Sequence, residues 1–224
     1  MNIPIQEHHI PVMRTARYCT LGIPSASTHT VWFACHGYGQ LAADFIQQLK
    51  PLHDEKTWIV APEGLSRFYV KGFFGKTGAS WMTREDRLHE ISDYLNYLEK
   101  LREHILGQSS SSVQLKILGF SQGVSTVCRW VTLRNPRPAA IWLCSGNIPD
   151  DIDKHAFRFV TQSCPVHLLV GKKDPLIRQT DLETALNHIE QHQWNIQVTV
   201  FEGAHEVNAA LIKIQDQQNH LAGR

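Results

Sequence analysis

The sequence predicts an α/β fold, in which a mostly parallel, twisted sheet carries helices on both faces. Short apolar runs recur along the chain without polar alternation, as in strands that are covered on both sides. Amphipathic helical patterns lie between these runs. No linker rich in Pro, Gly or Ser divides the 224 residues. We therefore expect one domain over residues 1–224, with right-handed crossovers between parallel strands.

Six apolar runs are the predicted strands of the sheet. They are VWFAC (31–35), TWIVA (57–61), VQLKIL (113–118), AAIWLC (139–144), VHLLV (166–170) and IQVTVF (196–201). Residues before 31 are expected to add one or two leading strands antiparallel to the rest, and residues 13–21 are the best candidate for one.

The clearest helical pattern covers residues 84–106. Its apolar side chains recur at intervals of three, four, three and seven residues, at Leu88, Ile91, Leu95, Leu98 and Ile105. The opposite face is charged, so we predict an amphipathic helix that packs against a core. Further helices are predicted over 41–49, 122–133, 180–191 and 206–220. Two connections, 63–83 and 146–163, are long for a compact domain, which is typical of functional or mobile segments.

Charge and cysteine content narrow the classes of function. The chain has 22 Lys+Arg against 21 Asp+Glu, which leaves no excess of positive charge for phosphates, so no nucleic-acid partner is expected. Five scattered cysteines lack zinc-ligand spacing and indicate reduced thiols and no metal site. The N-terminus has no apolar run behind a basic start, and no stretch approaches the ~18 apolar residues of a spanning helix. We expect a cytoplasmic protein without a transmembrane segment.

Residues 119–123 (Gly-Phe-Ser-Gln-Gly) form a G-x-S-x-G motif between a predicted strand and a predicted helix. A nucleophile elbow needs this setting, because its serine occupies a strained backbone conformation and its glycines let the strand and the helix approach each other. Ser121 is therefore the candidate nucleophile. The alternative is a glycine-rich helix start that Ser121 caps.

A serine hydroxyl is a weak nucleophile at neutral pH and needs a general base. Asp174 follows the run VHLLV, and His205 follows IQVTVF. Both would lie at the carboxyl ends of strands, in the chain order nucleophile, acid, histidine. We predict that Asp174 is the acid and His205 the base. The aspartates within 150–153 are alternative acids, although they are more typical of a helix cap or a loop.

The segment His36-Gly37-Tyr38-Gly39 follows the run VWFAC. A backbone N–H of this loop, which we assign to Tyr38, and the N–H of Gln122 are the expected donors to an oxyanion. Each such donor typically stabilises a transition state by roughly 3–4 kcal/mol. His36 is interpreted as shaping the turn. A glycine-rich turn that binds no ligand is the alternative.

The connection 63–83 places aromatic residues beside glycines. Apolar side chains on a loop suit an acyl or aryl group, so we predict substrate contacts here, at Phe73, Phe74, Trp81 and Met82. The alternative is that these side chains close the core of the sheet.

The segments HGYG, APEG, GASWM, GFSQG, GKKDP and EGAHE occur in the order seen in the phospholipase/carboxylesterase family of α/β-hydrolases, which includes the acyl-protein thioesterases. The sequence resembles this family over residues 31–207. The resemblance implies a compact α/β-hydrolase fold with no large cap domain. It also implies hydrolysis of carboxylic esters and thioesters without a cofactor.

Residue by residue, the resemblance implies the same roles as the strand positions do. It matches Ser121 to the nucleophile, Asp174 to the acid, His205 to the base, and Tyr38 and Gln122 to the oxyanion donors. By analogy with the family's tryptophan-containing segment, it also singles out Trp81 as a substrate contact.

Two departures concern the loop that follows VWFAC. Acyl-protein thioesterases usually have a leucine-like residue at the position of Tyr38 and an acidic residue at the position of Gln40. Residues 80–83 also only partly match their Ser-Trp-Phe-Asp segment. These departures favour a general carboxylesterase that acts on a small-molecule ester or thioester. A serine peptidase, an acyl-protein thioesterase or lysophospholipase, and a binding protein without chemistry remain alternatives.

Overall fold

The computed structural model describes residues 3–110 and 112–222. The strands are β1 (Tyr18–Leu21), β2 (Thr30–Cys35), β3 (Thr57–Pro62), β4 (Ser66–Tyr69), β5 (Thr77–Ser80), β6 (Gln114–Phe120), β7 (Ala140–Cys144), β8 (Val166–Gly171) and β9 (Ile196–Phe201). The helices are α1 (Ala42–Phe45), α2 (Arg87–Leu106), α3 (Gln122–Arg134), α4 (Lys154–Ser163), α5 (Gln179–Gln191) and α6 (Ala209–Ala222), and a 3₁₀ helix (Ile46–Leu52) follows α1.

A seven-stranded sheet in the order β1-β3-β2-β6-β7-β8-β9 is the centre of the fold. Strand β1 pairs antiparallel with β3, and every other pair in this sheet is parallel. This confirms the predicted mostly parallel sheet. It also places an antiparallel leading strand within residues 13–21, shortened to Tyr18–Leu21.

Both faces of the sheet are covered, which explains the unbroken apolar runs. Along β2, Val31 and Phe33 belong to one buried cluster with residues of α2, α3 and α4. Trp32 and Ala34 point to the opposite side, where the cluster includes residues of α1, the 3₁₀ helix and α6. Successive side chains of a strand alternate between faces, so each central strand contributes to two cores.

Both long connections contain regular structure that the sequence analysis did not predict. Within 63–83, β4 and β5 pair as a separate antiparallel hairpin. Within 146–163, α4 begins after Asp153, whose carboxylate accepts hydrogen bonds from the amides of His155 and Ala156. Phe157 and Val160 then bury the inner face of α4. The predicted helix over 41–49 is instead a single turn of α-helix followed by the 3₁₀ helix.

The predicted helix over 206–220 begins later, at Ala209. The side chain of Asn208 accepts a hydrogen bond from the amide of Leu211, three residues on, as an N-cap does. No large cap domain interrupts the fold over the residues that the structure describes. In that same part of the chain, no helix combines the length and apolarity needed to cross a bilayer.

Candidate active site

Ser121 occupies the turn between β6 and α3, with φ 53° and ψ −117°. This backbone conformation is strained for a residue other than glycine. A Cβ atom on Gly119 would overlap the backbone of Gly123, and one on Gly123 would overlap the carbonyl oxygen of Cys35. Both glycines of the motif are therefore required, because β6, α3 and the end of β2 meet without room for a side chain. The serine has the strained strand–turn–helix setting of a nucleophile elbow.

Asp174 and His205 lie in the loops that follow β8 and β9, and the structure brings their side chains together. Nδ1 of His205 lies 2.8 Å from Oδ2 of Asp174. The other carboxylate oxygen, Oδ1, accepts a hydrogen bond of 2.9 Å from the amide of Leu176. The Asp174 side chain is 0% exposed and that of His205 is 21% exposed. A carboxylate that accepts from Nδ1–H leaves the lone pair of Nε2 available to take a proton.

Backbone contacts hold these two loops against each other. The amide of Lys173 donates to the carbonyl of Gly203 at 2.8 Å, and a Cβ atom on Gly171 would overlap the carbonyl oxygen of Ala204. The His205 ring lies 4.9 Å from the ring of Phe120, measured between centroids. The imidazole is therefore placed beside the residue that precedes Ser121.

His36 shapes the loop after β2 by binding backbone on both sides of its ring. The amide of Gly64 donates to Nε2 at 2.9 Å, so Nδ1 carries the proton and donates to the carbonyl of Gly37 at 2.7 Å. Burial lowers the pKa of His36, and this keeps the ring neutral. This agrees with the interpretation of His36 as a residue that supports the turn.

The loop that His36 supports faces the serine. A Cβ atom on Gly37 would lie 3.0 Å from Cβ of Ser121. In the part of the chain that the structure describes, the amides of Tyr38 and Gln122 donate to no protein acceptor. The Gln122 amide belongs to the first turn of α3, where N–H groups have no acceptor within the helix and attract negative charge.

The four predicted substrate-contact residues divide into exposed and buried ones. Phe73 and Phe74, between β4 and β5, are 85% and 100% exposed. Met82 is half-buried and packs against the core. Trp81 is 1% exposed, and its Nε1 donates to the carbonyl of His36 at 2.9 Å. The Trp81 ring therefore closes the core beneath the His36 loop, as the alternative for these side chains expects, and its contact with substrate stays a prediction.

Two polar side chains that the sequence analysis gave no role attach the hairpin to the rest of the site. One is that of Gln122, whose Oε1 accepts from the amide of Trp81 at 3.1 Å and whose Nε2 donates to the carbonyl of Met82 at 2.8 Å. The only sequence signal for this contact was the position of Gln122 directly after the nucleophile.

The other is Glu63, directly after β3. Its buried carboxylate accepts from Arg17 at 2.7 Å, from Arg67 at 2.6 Å and from the amide of Ala42 at 3.1 Å. Burial alone would raise the pKa of Glu63, but the hydrogen bonds from both arginines and from the amide outweigh it and lower the pKa. No sequence pattern links Glu63 to both arginines, because Arg17 lies 46 residues before it and the pairing depends on the tertiary fold.

The alternative acids have other contacts, and three further histidines lie in other parts of the fold. Asp151 pairs with Arg129 at 2.8 Å and with Arg87 at 2.7 Å, while Asp153 caps α4. His167 is buried in β8, where its ring stacks on that of Trp142. His188 lies on α5, and His192 follows its last residue.

The parallel sheet, together with a strained serine between β6 and α3, defines an α/β-hydrolase. A sequence model described as Phospholipase/Carboxylesterase matches residues 23–222. The chain therefore belongs to the phospholipase/carboxylesterase family, whose members are hydrolases. No curated protein sequence matches this chain significantly.

Solved structures of esterases and a thioesterase have a similar fold. Esterase PE8 is 21% identical with a TM-score of 0.61, and the match covers 93% of this chain and 98% of that one. Acyl-protein thioesterase 2 from Zea mays is 16% identical with a TM-score of 0.65, covering 93% and 99%. A carboxylesterase from Mesorhizobium loti is 13% identical with a TM-score of 0.68, covering 90% and 94%. At these identities the likeness establishes the fold.

Proposed function

We propose that this chain is a serine carboxylesterase with Ser121 as nucleophile, His205 as general base and Asp174 as the acid that orients His205. The observation that carries the proposal is the hydrogen bond of 2.8 Å between His205 and the fully buried carboxylate of Asp174. This hydrogen bond lies at the same edge of the sheet as the strained turn of Ser121. Strands β6, β8 and β9 are parallel, so their carboxyl ends meet at one edge.

The proposed reaction has two acyl-transfer steps. Oγ of Ser121 attacks the acyl carbon of the ester while Nε2 of His205 takes the hydroxyl proton, and the carbonyl oxygen becomes an oxyanion. The amides of Tyr38 and Gln122 bind this oxyanion. The intermediate then collapses, the bond to the leaving oxygen breaks, and His205 returns the proton to the departing alcohol.

Water completes the cycle. His205 takes a proton from the water that attacks the acyl group on Ser121, and then returns it to Oγ as the carboxylic acid leaves. Every group that these steps use is a side chain or an amide of this chain. The proposed substrate is a small-molecule ester or thioester, whose acyl part contacts Phe73, Phe74 and Met82.

Acyl-protein thioesterase activity is the nearest alternative, because the fold is shared with acyl-protein thioesterase 2 from Zea mays. Tyr38 and Gln40 occupy two of the positions at which this chain departs from the thioesterase pattern. The side chain of Gln40 accepts a hydrogen bond of 2.8 Å from the amide of Gly37, so it takes part in the loop that supplies one oxyanion donor.

Turnover of p-nitrophenyl esters, acyl thioesters and peptide amides, each graded by acyl length, tests the proposal. We expect esters to be hydrolysed and a fluorophosphonate probe to label wild-type protein but not Ser121→Ala. Ser125→Ala is the matched control, since Ser125 lies one turn along α3, and it should label normally. Hydrolysis of peptides but not of esters would favour a peptidase. Absence of both hydrolysis and probe labelling would exclude serine hydrolysis.

A further inference from the structure

Away from the candidate active site, the N-terminal segment meets the start of α2 through three potential metal ligands. Nδ1 of His89 lies 2.6 Å from Oδ1 of Asp86, and Nε2 of His9 lies 3.2 Å from Oδ2 of the same carboxylate. The ligand atoms of all three residues lie within 4.8 Å of one another. The two imidazole rings stack with their centroids 4.0 Å apart.

We propose that His9, Asp86 and His89 form a binding site for Zn²⁺. Imidazole nitrogen and carboxylate oxygen are ordinary zinc ligands, with bonds of about 2.0–2.2 Å. Around a tetrahedral ion such bonds place the ligand atoms about 3.4 Å apart. The separations of 2.6 and 3.2 Å are shorter than this spacing, so the exposed side chains would rotate apart to admit the ion in place of the hydrogen-bonded protons.

The backbone and the local charges prepare the site. Asp86 has φ 45° at the residue before α2, and His89 follows within the first turn, so both side chains belong to one short segment. The carboxylate of Glu7 lies 3.3 Å from Nε2 of His9 and adds negative charge beside the site. Water is left to fill the fourth position of the ion.

The ion would link two parts of the chain that are distant in sequence. His9 lies in an exposed segment without regular structure, whereas Asp86 and His89 belong to the start of a helix whose inner face packs against the core. A ligand that binds only the folded arrangement stabilises it by mass action. Cysteine spacing, on which the expectation of no metal site rested, gives no signal for a site made of two histidines and an aspartate.

Zinc titration of the full-length chain tests this inference, with a competing chelator to measure affinity and a thermal melt to measure stabilisation. We expect wild-type protein to bind one Zn²⁺ per chain and to melt at a higher temperature with zinc. His9→Ala, Asp86→Asn and His89→Ala should each weaken binding by roughly 10-fold or more. Asn is chosen at position 86 because it tolerates the left-handed backbone conformation.

His8→Ala is the matched control, because His8 is an exposed neighbour of His9 outside the cluster. It should bind zinc as wild type does. Circular dichroism without zinc checks that each variant is folded. No stoichiometric binding by wild type, or an affinity equal to that of wild type in His9→Ala and His89→Ala, would overturn the proposal, and the second result would place the ion on other residues.

Discussion

The carboxylate of Asp174 lies 2.8 Å from Nδ1 of His205 and has no exposed surface of its own. A second hydrogen bond, from the amide of Leu176, fixes the orientation of the carboxylate. The pair therefore sets both the tautomer and the direction of the imidazole before any substrate arrives. In the proposed mechanism this arrangement leaves Nε2 as the base.

Asp174→Asn should lower kcat for p-nitrophenyl esters by about 10³- to 10⁴-fold, the scale seen in a serine protease triad. An amide that donates to Nδ1 would favour the tautomer with the proton on Nε2, which cannot accept one from Ser121. Steady-state kinetics measures the effect. Asp150→Asn and Asp153→Asn are controls that should retain activity, and the reverse pattern would show that the acid is assigned wrongly.

Gly123→Ala should abolish ester hydrolysis and lower the melting temperature. The added methyl group would overlap the carbonyl oxygen of Cys35, so α3 would have to move away from β2, and Ser121 would move with it. Gly107→Ala at the end of α2 is the control. A Cβ atom on Gly107 would lie 3.1 Å from its nearest neighbour, the carbonyl oxygen of Glu103, so the added methyl group is only tightly packed there. Equal melting temperatures for the two variants would contradict the packing argument.

Glu63→Gln should destabilise the protein by about 1–3 kcal/mol at neutral pH. Hydrogen bonds to charged groups contribute on this scale, and partial exposure of Arg17 and Arg67 reduces the electrostatic part. The pKa of Glu63 is lower in the folded chain, so its contribution is present above the unfolded value of about 4.3 and is lost as pH falls through the folded value.

Urea unfolding of wild type and Glu63→Gln across this pH range measures that contribution. The difference in unfolding free energy between the two proteins should shrink as the solution becomes more acidic. A difference that stays constant with pH would mean that the charge of Glu63 does not stabilise the fold.

Phe73→Ser and Phe74→Ser should each lower kcat/KM for long-chain p-nitrophenyl esters by roughly 10-fold and leave acetate turnover unchanged. Loss of apolar contact with an acyl chain has effects of this size. Both rings are exposed, so the melting temperature should not fall. The control is Leu88→Ser, which changes an exposed apolar residue on a different element, α2. An equal loss of kcat/KM in this control would argue against a specific acyl contact.

The sequence predicted the sheet well because its strands are buried on both faces. All five residues of β7, for example, are apolar and buried, and such runs stand out without any tertiary information. The positions of Ser121, Asp174 and His205 could be predicted for the same reason. Each of them follows a strand that is recognisable in the sequence. The hydrogen bond between Asp174 and His205 agrees with that prediction, while their catalytic roles stay predictions.

Elements whose stability depends on partners elsewhere could not be predicted in the same way. Strand β4 has polar residues at Ser66 and Arg67, so no apolar run marks it. Trp81 lies in a segment that suggested a loop, and only the packed structure distinguishes a buried aromatic from an exposed one. Glu63 has no recognisable role until the fold brings Arg17 and Arg67 to its carboxylate.

The two hydrogen bonds between the Gln122 side chain and the backbone of Trp81 and Met82 limit how this site can adapt to a substrate. They tie the end of β5 to the first residue of α3, so the hairpin cannot swing as a rigid flap without pulling on the nucleophile turn. Adjustment is confined to the exposed tip around Phe73 and Phe74. Under the proposed function, selectivity should therefore arise from accommodation at that tip, while the backbone around Ser121 keeps one shape for every ester.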